Sequence, residues 1–393
     1  MAGVRGARVL DLSGSIGAYC SKMLADLGAD VILVEPPGGD PLRTKPPFGS
    51  DGAGAPKSLL FSAYHANKRS VTLDTTRPES LPVLQALGER CHVIITSPSA
   101  RRPLVGFDRD APALTWARTD AIVAAITPFG LSGPLRDTRM TAFLSFAMSG
   151  AMHRVGQAGG PPLAAPTNLA WDEAGVHAAF GILSALWARE AVGGQVLDLS
   201  VHEIGATKDF LLERYDAAEP GEWGRQIPVG IPPTGVWACA DGPLAVAVHQ
   251  EHHWQAFLAM LDHPDELADP AFAQPLFRRD VHDMLETMIA PMMADRSRLE
   301  LFQKGQGHGL PCAPYYTPGE FLADVQPEAR EIFAALPMTP SVTVPWRWCH
   351  ASTELIALRR GSPEAGQHNQ EIYLDELGFT AGRIEEWKEG RLV

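Results

Sequence analysis

Short apolar runs alternate with amphipathic stretches in the first part of the chain. Residues 8–12 and 31–35 are apolar runs typical of buried strands, and residues 18–27 between them have helical spacing and stop before Gly28. A strand, a helix and a second strand within about 30 residues are typical of the βαβ unit of a parallel sheet. The pattern therefore predicts that the fold opens as an α/β structure.

The same alternation continues over the next hundred residues and predicts a doubly wound sheet. Further strands are expected at 70–74, 92–96 and 121–126, with a helix at 80–90. A long helix is predicted over 172–190, because apolar residues recur there at helical spacing and two glycines follow it.

A segment rich in proline and glycine, 220–233, marks a domain boundary. After it come a strand at 244–248 and helices at 254–261 and 281–293, which predict a small α+β domain. The tail at 369–393 has the pattern of helix, turn and helix and is expected to rejoin the first domain. We predict a large domain of residues 1–219 and 325–393, with a linker and the small domain at 220–324.

Composition and charge narrow the class of protein. The chain has 393 residues, 45% of them hydrophobic and 20% charged, which is ordinary for a folded enzyme of two lobes. The net charge of −13 disfavours a nucleic-acid partner or an anionic membrane surface. The apolar runs are too short to cross a bilayer, and a secretory leader is not expected.

The spacing of the cysteines and histidines indicates the cellular compartment and whether a metal site is expected. The five cysteines are widely spaced and form no CxxC pair, which favours a reduced, cytoplasmic setting. The histidine cluster at 249, 252 and 253 does not have the HExxH spacing of helical zinc sites. We therefore expect a cytoplasmic protein without a metal cofactor.

Several segments, in order and nearly end to end, resemble the family III CoA-transferases. They are 8–12, 23–32, 34–43 (Val-Glu-Pro-Pro-Gly-Gly-Asp-Pro-Leu-Arg), 67–74 (Asn-Lys-Arg-Ser-Val-Thr-Leu-Asp), 129–134, 181–200, 309–314 and 366–369. The resemblance implies a Rossmann-like large domain, a smaller second domain and two chains interlocked as a homodimer. It also implies coenzyme A as a co-substrate, with an acyl-CoA and a carboxylic acid as the reacting partners.

The resemblance implies an aspartate nucleophile just before the helix that contains Gly181. A carboxylate suits this reaction because it attacks the thioester and leaves readily once acylated. Counting back without gaps places the family position on Trp171, so the acid is displaced by one residue to Asp172, with Glu173 as second choice. Asp172 is equally explained as an N-cap or as a first-turn acid that interacts with the helix dipole.

CoA binding is predicted from cationic residues at a strand entrance and from the loop after the first strand. Backbone N–H groups of that loop, or Ser15, would stabilise an oxyanion. The predicted CoA-binding residues are Ser15, Ile16, Arg43, Asn67, Lys68, Arg69, Ser97 and Arg102.

Three other functions remain as alternatives. An acyl-CoA racemase of this family would carry a His-Asp pair where Thr141 and Ala142 stand, so racemase chemistry is disfavoured, and neither His153 nor His177 is expected to replace that pair. A nicotinamide enzyme is suggested by the loop at 13–17, which lacks the full GxGxxG spacing. A non-catalytic acyl-CoA binder that has lost the nucleophile is the remaining alternative.

Overall fold

Contacts within the chain divide it into two units. One consists of residues 1–156, 161–220 and 331–393, and the other of residues 157–160 and 221–330. The computed structural model describes residues 4–49, 56–99, 103–156, 160–166, 168–207, 231–337 and 339–393, without the side chains of 153, 154 and 339–341.

Six parallel strands form the centre of the larger unit. They are β1 (Arg8–Leu12), β2 (Asp30–Glu35), β3 (Arg69–Thr72), β4 (Val93–Thr96), β5 (Ile122–Thr127) and β6 (Gln195–Ser200). Their order across the sheet is β6-β5-β4-β1-β2-β3, and every neighbouring pair is parallel. The order reverses between β1 and β4, which is the arrangement of doubly wound nucleotide-binding sheets. The predicted parallel α/β sheet is thereby confirmed.

Helices cover both faces of this sheet. They are α1 (Ala18–Asp26), α2 (Leu59–His65), α3 (Leu81–Gly88), α4 (Ala142–Met148), α5 (Ala151–Arg154), α6 (Leu169–Val192) and α7 (Val201–Ala206). One hydrophobic core joins α1 and α6 to β1, β4 and β5 through buried side chains such as Leu24 and Ile182. A second core, which includes Leu84 of α3, lies on the other face. Two further pairs of two-residue strands, Phe48–Gly49 with Lys57–Ser58 and Phe107–Asp108 with Ala113–Leu114, lie outside the sheet.

Helix α6 packs closely against α1 because glycine occupies the crossing point. A Cβ atom on Gly175 would lie 2.9 Å from the backbone nitrogen of Cys20 and 3.0 Å from Cβ of Tyr19. The helix begins three residues before the predicted start, with Asn168 at the N-cap. Asp172 therefore lies inside the first turn, and the alternative that makes it the N-cap is wrong.

The end of the chain returns to the large unit. It contributes β10 (Phe333–Leu336), β11 (Thr339–Pro345), a π-helical segment at Gln370–Glu376 and a final helix at Ala381–Glu389. Tyr373, Trp387 and Leu392 are buried in the same core as Val71 of β3. The predicted helix, turn and helix of the tail are thus confirmed.

The smaller unit contains an antiparallel sheet and a group of helices. Its strands are β7 (Gly235–Cys239), β8 (Gly242–Val246) and β9 (Cys312–Pro314), in that order. Its helices are α8 (Glu251–Met260), α9 (Pro275–Asp280), α10 (His282–Ala294), α11 (Arg298–Gly307), α12 (Pro318–Ala323) and α13 (Val325–Ala329); the final helix of the chain is α14. Trp254 and Phe257 are buried in its core, so this unit has a hydrophobic centre of its own.

Two further findings concern membrane spans and disulfides. No helix in the part that the structure describes has both the length and the apolar character needed to span a bilayer. All five cysteines are free thiols.

Candidate active site

A cleft of about 510 Å³ opens at the carboxyl ends of the central strands. Its floor comes from residues at or just after the ends of β1, β4 and β5, namely Ser13–Ile16, Ser97–Ser99 and Thr127–Pro128. The order of the sheet reverses between β1 and β4, and ligands of doubly wound sheets bind outside such a point. The cleft is therefore the candidate active site, and it contains three predicted CoA-binding residues, Ser15, Ile16 and Ser97.

Charged side chains line one wall of the cleft. Arg136 is ion-paired with Asp110 and Asp137, and Asp137 also accepts from Arg109. Arg139, by contrast, is exposed and makes no hydrogen bond or ion pair with any residue that the structure describes. The cleft thus presents one cationic side chain that is free to bind an anion.

A buried carboxylate also lines the cleft. Asp40 is 4% exposed, and its Oδ1 accepts a hydrogen bond of 2.7 Å from the backbone of Leu42. Burial raises the pKa of Asp40, whereas the hydrogen bond from Leu42 lowers it. Asp40 was not among the predicted site residues, although it belongs to the 34–43 segment that carries the family resemblance.

Asp172 follows Trp171, which forms part of the cleft wall, but Asp172 itself is not among the residues that line the cleft. The hydroxyl of Tyr64, on α2, donates a hydrogen bond of 2.6 Å to Oδ1 of Asp172. Burial raises the pKa of the Asp172 carboxyl, and the bond from Tyr64 lowers it. Burial and the same bond raise the pKa of Tyr64, so the phenol remains a hydrogen-bond donor. The arrangement is a partly desolvated carboxylate with one strong donor.

Glu173, the second predicted catalytic residue, lies on a different side of α6. It lines a small cavity of about 40 Å³ together with Ser145, Ser149 and Ile204. The structure therefore separates the two acids that the sequence places side by side. Asp172 is the one held by a donor from α2, while Glu173 faces α4 and α7.

Lys68 is fully buried beneath the cleft. Its ammonium lies 2.6 Å from Oγ of Ser21, 3.0 Å from Nδ1 of His65 and 3.3 Å from Oδ2 of Asp11. Burial lowers the pKa of Lys68, whereas the Asp11 carboxylate raises it. Contact of Lys68 with CoA stays a prediction, and it would require this internal network to open.

Asn67 and Arg69 also form interactions inside the protein. Asn67 has a positive φ of 67°, and its amide side chain bonds to Asp26 and to the backbone of Ala357 and Arg359. The guanidinium of Arg69 forms ion pairs with Asp30, Glu371 and Glu376. Both side chains join the returning tail to the sheet, and their contact with CoA also stays a prediction.

Arg43 forms a two-pronged ion pair with the fully buried Glu35, at 2.6 and 2.7 Å. Glu35 also accepts from the backbone of Asp40 and from the hydroxyl of Ser70. This acid, which a nicotinamide enzyme would use for ribose, is thus fully engaged. The remaining predicted binder, Arg102, lies outside the described residues.

The residues considered for racemase chemistry have structural roles or lie outside the described part. Thr141 caps α4, where its side chain accepts from the backbone of Leu144 at 3.3 Å. His177 is exposed and bonds to the backbone oxygen of Glu173, while the side chain of His153 lies outside the described part. Within that part, no group of three or more His, Cys, Asp or Glu residues is arranged to hold a metal ion.

Comparison with known proteins identifies the family of this chain. The model of CoA-transferase family III matches residues 4–369. A formyl-CoA:oxalate CoA-transferase from Streptomyces avermitilis is 28% identical, with 96% of each chain covered. A succinyl-CoA:mesaconate CoA-transferase from Haloarcula hispanica is 29% identical over 95% of this chain and 96% of the relative.

Comparison with solved structures agrees with the fold. The crystal structure of a CAIB/BAIF family protein from Brucella suis superposes with a TM-score of 0.82 at 25% identity. The match covers 95% of this chain and 98% of the other, so both units have counterparts there.

Proposed function

Because this chain belongs to CoA-transferase family III, it is an enzyme of CoA transfer, and we propose that it moves CoA from an acyl-CoA thioester to a carboxylic acid. The observation that supports the proposal is the Asp172 carboxylate, which is partly desolvated, accepts a hydrogen bond from Tyr64 and directly follows Trp171 of the cleft wall. A carboxylate with little water around it is a stronger nucleophile than one in bulk solvent.

The proposed reaction passes through two acyl exchanges at Asp172. The carboxylate attacks the thioester carbonyl, which forms a mixed anhydride and releases CoA thiolate. The thiolate then attacks the aspartyl carbonyl, so the donor acid leaves and an aspartyl-CoA thioester remains. The acceptor carboxylate reverses both steps, which returns Asp172 and yields the new acyl-CoA.

We place the thioester end of CoA over the loop that follows β1. Ser15 and Ile16 lie in this loop and Ser97 lies in the one that follows β4, so both loops contribute to the floor of the cleft. A thioester carbonyl that develops negative charge there would be stabilised by backbone N–H groups or by Ser15. Arg43, Asn67, Lys68, Arg69 and Arg102 remain proposed contacts for the phosphates.

Label exchange tests the proposed reaction directly. The enzyme is incubated with an acyl-CoA and its isotopically labelled free acid, and CoA transfer predicts that label appears in the thioester. A racemase would instead take up deuterium at the α-carbon from heavy water. Binding of CoA without any exchange would point to a non-catalytic binder and overturn the proposal.

The free arginine of the cleft suggests the kind of acid. The relatives named above act on oxalate and mesaconate, which are dicarboxylic acids. A guanidinium binds a carboxylate through two parallel hydrogen bonds, so Arg139 is suited to the second carboxylate of such an acid.

Replacement of Arg139 by glutamine is expected to remove a preference for dicarboxylic acids. We expect KM for succinate to rise about tenfold or more, since a hydrogen-bonded charge pair contributes ~1.5–3 kcal/mol, while butyrate is used as before. Arg136→Gln is the matched control, because Arg136 lines the same wall but is already ion-paired. A weaker affinity for CoA, with the acid preference unchanged, would assign Arg139 to the phosphates instead.

The hydrogen bond from Tyr64 is expected to set the acid limb of the pH profile. Only the ionised carboxylate attacks, so activity falls as the pH drops through the raised pKa of Asp172. Tyr64→Phe removes the interaction that lowers this pKa, and the acid limb of kcat/KM should therefore move to higher pH. Tyr19→Phe, whose ring lies 5.8 Å from that of Tyr64, should leave the limb in place. An unmoved limb in Tyr64→Phe would exclude Asp172 as the titrating group.

We also propose that two copies assemble as the interlocked homodimer that the family resemblance implies. One face of α6 leaves Val176, Phe180 and Trp187 exposed, the last two by 73% and 74%. Exposed apolar patches of this kind usually mark a contact with another molecule. Sedimentation analysis should show a dimer, and a monomer at micromolar concentration would contradict this assembly. A cytoplasmic location stays a prediction.

A further inference from the structure

An ion pair between two fully buried residues lies directly below the floor of the cleft. Asp11, the penultimate residue of β1, and Lys68, just before β3, both have 0% of their surface exposed. Burial of two charges is expensive unless additional hydrogen bonds satisfy them. Because such a pair contributes little to stability, its position below the cleft suggests a functional role.

The two oxygen atoms of the Asp11 carboxylate bind different partners, one toward the cleft loop and the other toward the interior. Its Oδ1 accepts from the backbone N–H of Ser13 at 3.1 Å and from the hydroxyl of Ser13 at 2.6 Å. Its Oδ2 accepts from the hydroxyl of Ser21, on α1, and from the ammonium of Lys68. One oxygen thus holds the first residue of the cleft loop, and the other is anchored in the interior.

Lys68 is itself held from several directions. In addition to Asp11, it donates to the backbone oxygen of Ala18 at 3.1 Å and to Ser21. Burial and nearby cations keep the pKa of His65 well below its usual range, so this imidazole is neutral and its Nδ1 accepts from Lys68. Lys68 and its hydrogen-bond partners therefore connect α1, α2 and β1.

The cleft loop leaves little room for a different position of Ser13. A Cβ atom on Gly17 would lie 2.2 Å from Oγ of Ser13, so the loop closes tightly around that side chain. Ser13 is 6% exposed, and Gly14, Ser15 and Ile16 follow it along the floor of the cleft. The orientation of Ser13 therefore determines where this floor lies.

We propose that Asp11, anchored by Lys68, is a positioning residue that holds the Ser13–Ile16 loop in place against the reacting thioester. The proposal rests on the CoA-transfer function proposed above, because it assigns the loop to the thioester. It gives Lys68 a role in the interior of the protein, as the partner that anchors Asp11.

Two serines on opposite sides of the same carboxylate provide a matched test. Ser13→Ala removes a hydrogen bond of Asp11 on the cleft side. Ser21→Ala removes one on the interior side and, in addition, the hydrogen bond that Lys68 donates to Ser21. Both variants keep the Asp11–Lys68 pair, whereas Asp11→Asn would leave a buried ammonium without its counter-charge and endanger folding. The full-length variants are compared by thermal midpoint, by kcat/KM for acyl-CoA and by the Kd for CoA.

We expect Ser21→Ala to lose at least as much thermal stability as Ser13→Ala, and only Ser13→Ala to lose activity. Its kcat/KM should fall about tenfold or more, as when a hydrogen bond to a charged group is lost, and Ser21→Ala should stay within about twofold of wild type. A purely structural network predicts losses of activity that follow the losses of thermal stability in the two variants, and that result would overturn the proposal. If the wild-type enzyme itself shows no label exchange, the proposed function fails instead, so the two failures are distinct.

Discussion

Replacement of Asp172 by asparagine is expected to abolish CoA transfer while the fold is retained. The asparagine oxygen still accepts the hydrogen bond from Tyr64, so the local packing changes little. The amide, however, cannot form the mixed anhydride, and loss of a covalent nucleophile lowers kcat by at least a factor on the order of a thousand. Such a loss corresponds to about 4 kcal/mol of transition-state stabilisation.

Oxygen exchange identifies the reacting carboxylate independently of the variant. When the acceptor acid carries oxygen-18, each turnover leaves one heavy oxygen atom in the enzyme carboxylate that formed the anhydride. Mass spectrometry of peptides after turnover should find this label at Asp172. Glu173→Gln is the matched control and should keep its activity, because Glu173 lines a separate small cavity. Label at Glu173 or at the cleft residue Asp40 would move the nucleophile there.

A clear loss of stability is expected from Gly175→Ala. An added Cβ would lie 2.9 Å from the backbone nitrogen of Cys20, so α6 and α1 must move apart. Overpacking of this kind lowers the free energy of unfolding by about 1–3 kcal/mol. Because the same helix carries Asp172 toward Tyr64, activity should fall together with the thermal midpoint.

Gly181→Ala, in the same helix, should have the opposite effect. Its Cβ would meet Leu197 at 3.6 Å, which is ordinary van der Waals contact, and alanine favours the helix by ~1 kcal/mol relative to glycine. Calorimetry of the two variants should therefore show midpoints on opposite sides of the wild-type value. Equal midpoints would mean that α1 and α6 do not pack as tightly as described.

The sequence was sufficient to predict most of the central sheet. The predicted strands at 8–12, 31–35, 92–96 and 121–126 lie within one residue of the observed ones. These strands are buried on both faces and bounded by glycines or polar turns, so their apolar runs are conspicuous. The start of α6 was harder to predict, since Leu169 and Ala170 extend the helix without any change in polarity.

The candidate site was predictable only in part. Ser15, Ile16 and Ser97 lie where strand ends predict a cleft, but the donor to Asp172 comes from Tyr64, which is 108 residues away. A pairing over that distance leaves no periodic signal in the sequence. Arg139 was also missed, because an arginine in a loop has the same appearance whether it is ion-paired or free.

The basic cluster at 67–69 shows why local charge is a poor guide to exposure. Three polar residues before a strand are typical of a solvated turn or of a phosphate contact. Here all three are buried, because their partners come from distant parts of the chain, such as Asp11 for Lys68 and Glu376 for Arg69. Long-range compensation of charge is a property of the tertiary structure.

The returning tail has a consequence for synthesis on the ribosome. Leu392 is buried beside Val71 and Trp387, and its backbone oxygen accepts from Asp74. The part of this face of the sheet that the tail covers therefore stays exposed until residue 392 has been translated. The nascent chain carries this apolar patch from the synthesis of the sheet until residue 392 has been added, a state in which large proteins aggregate readily and chaperones bind.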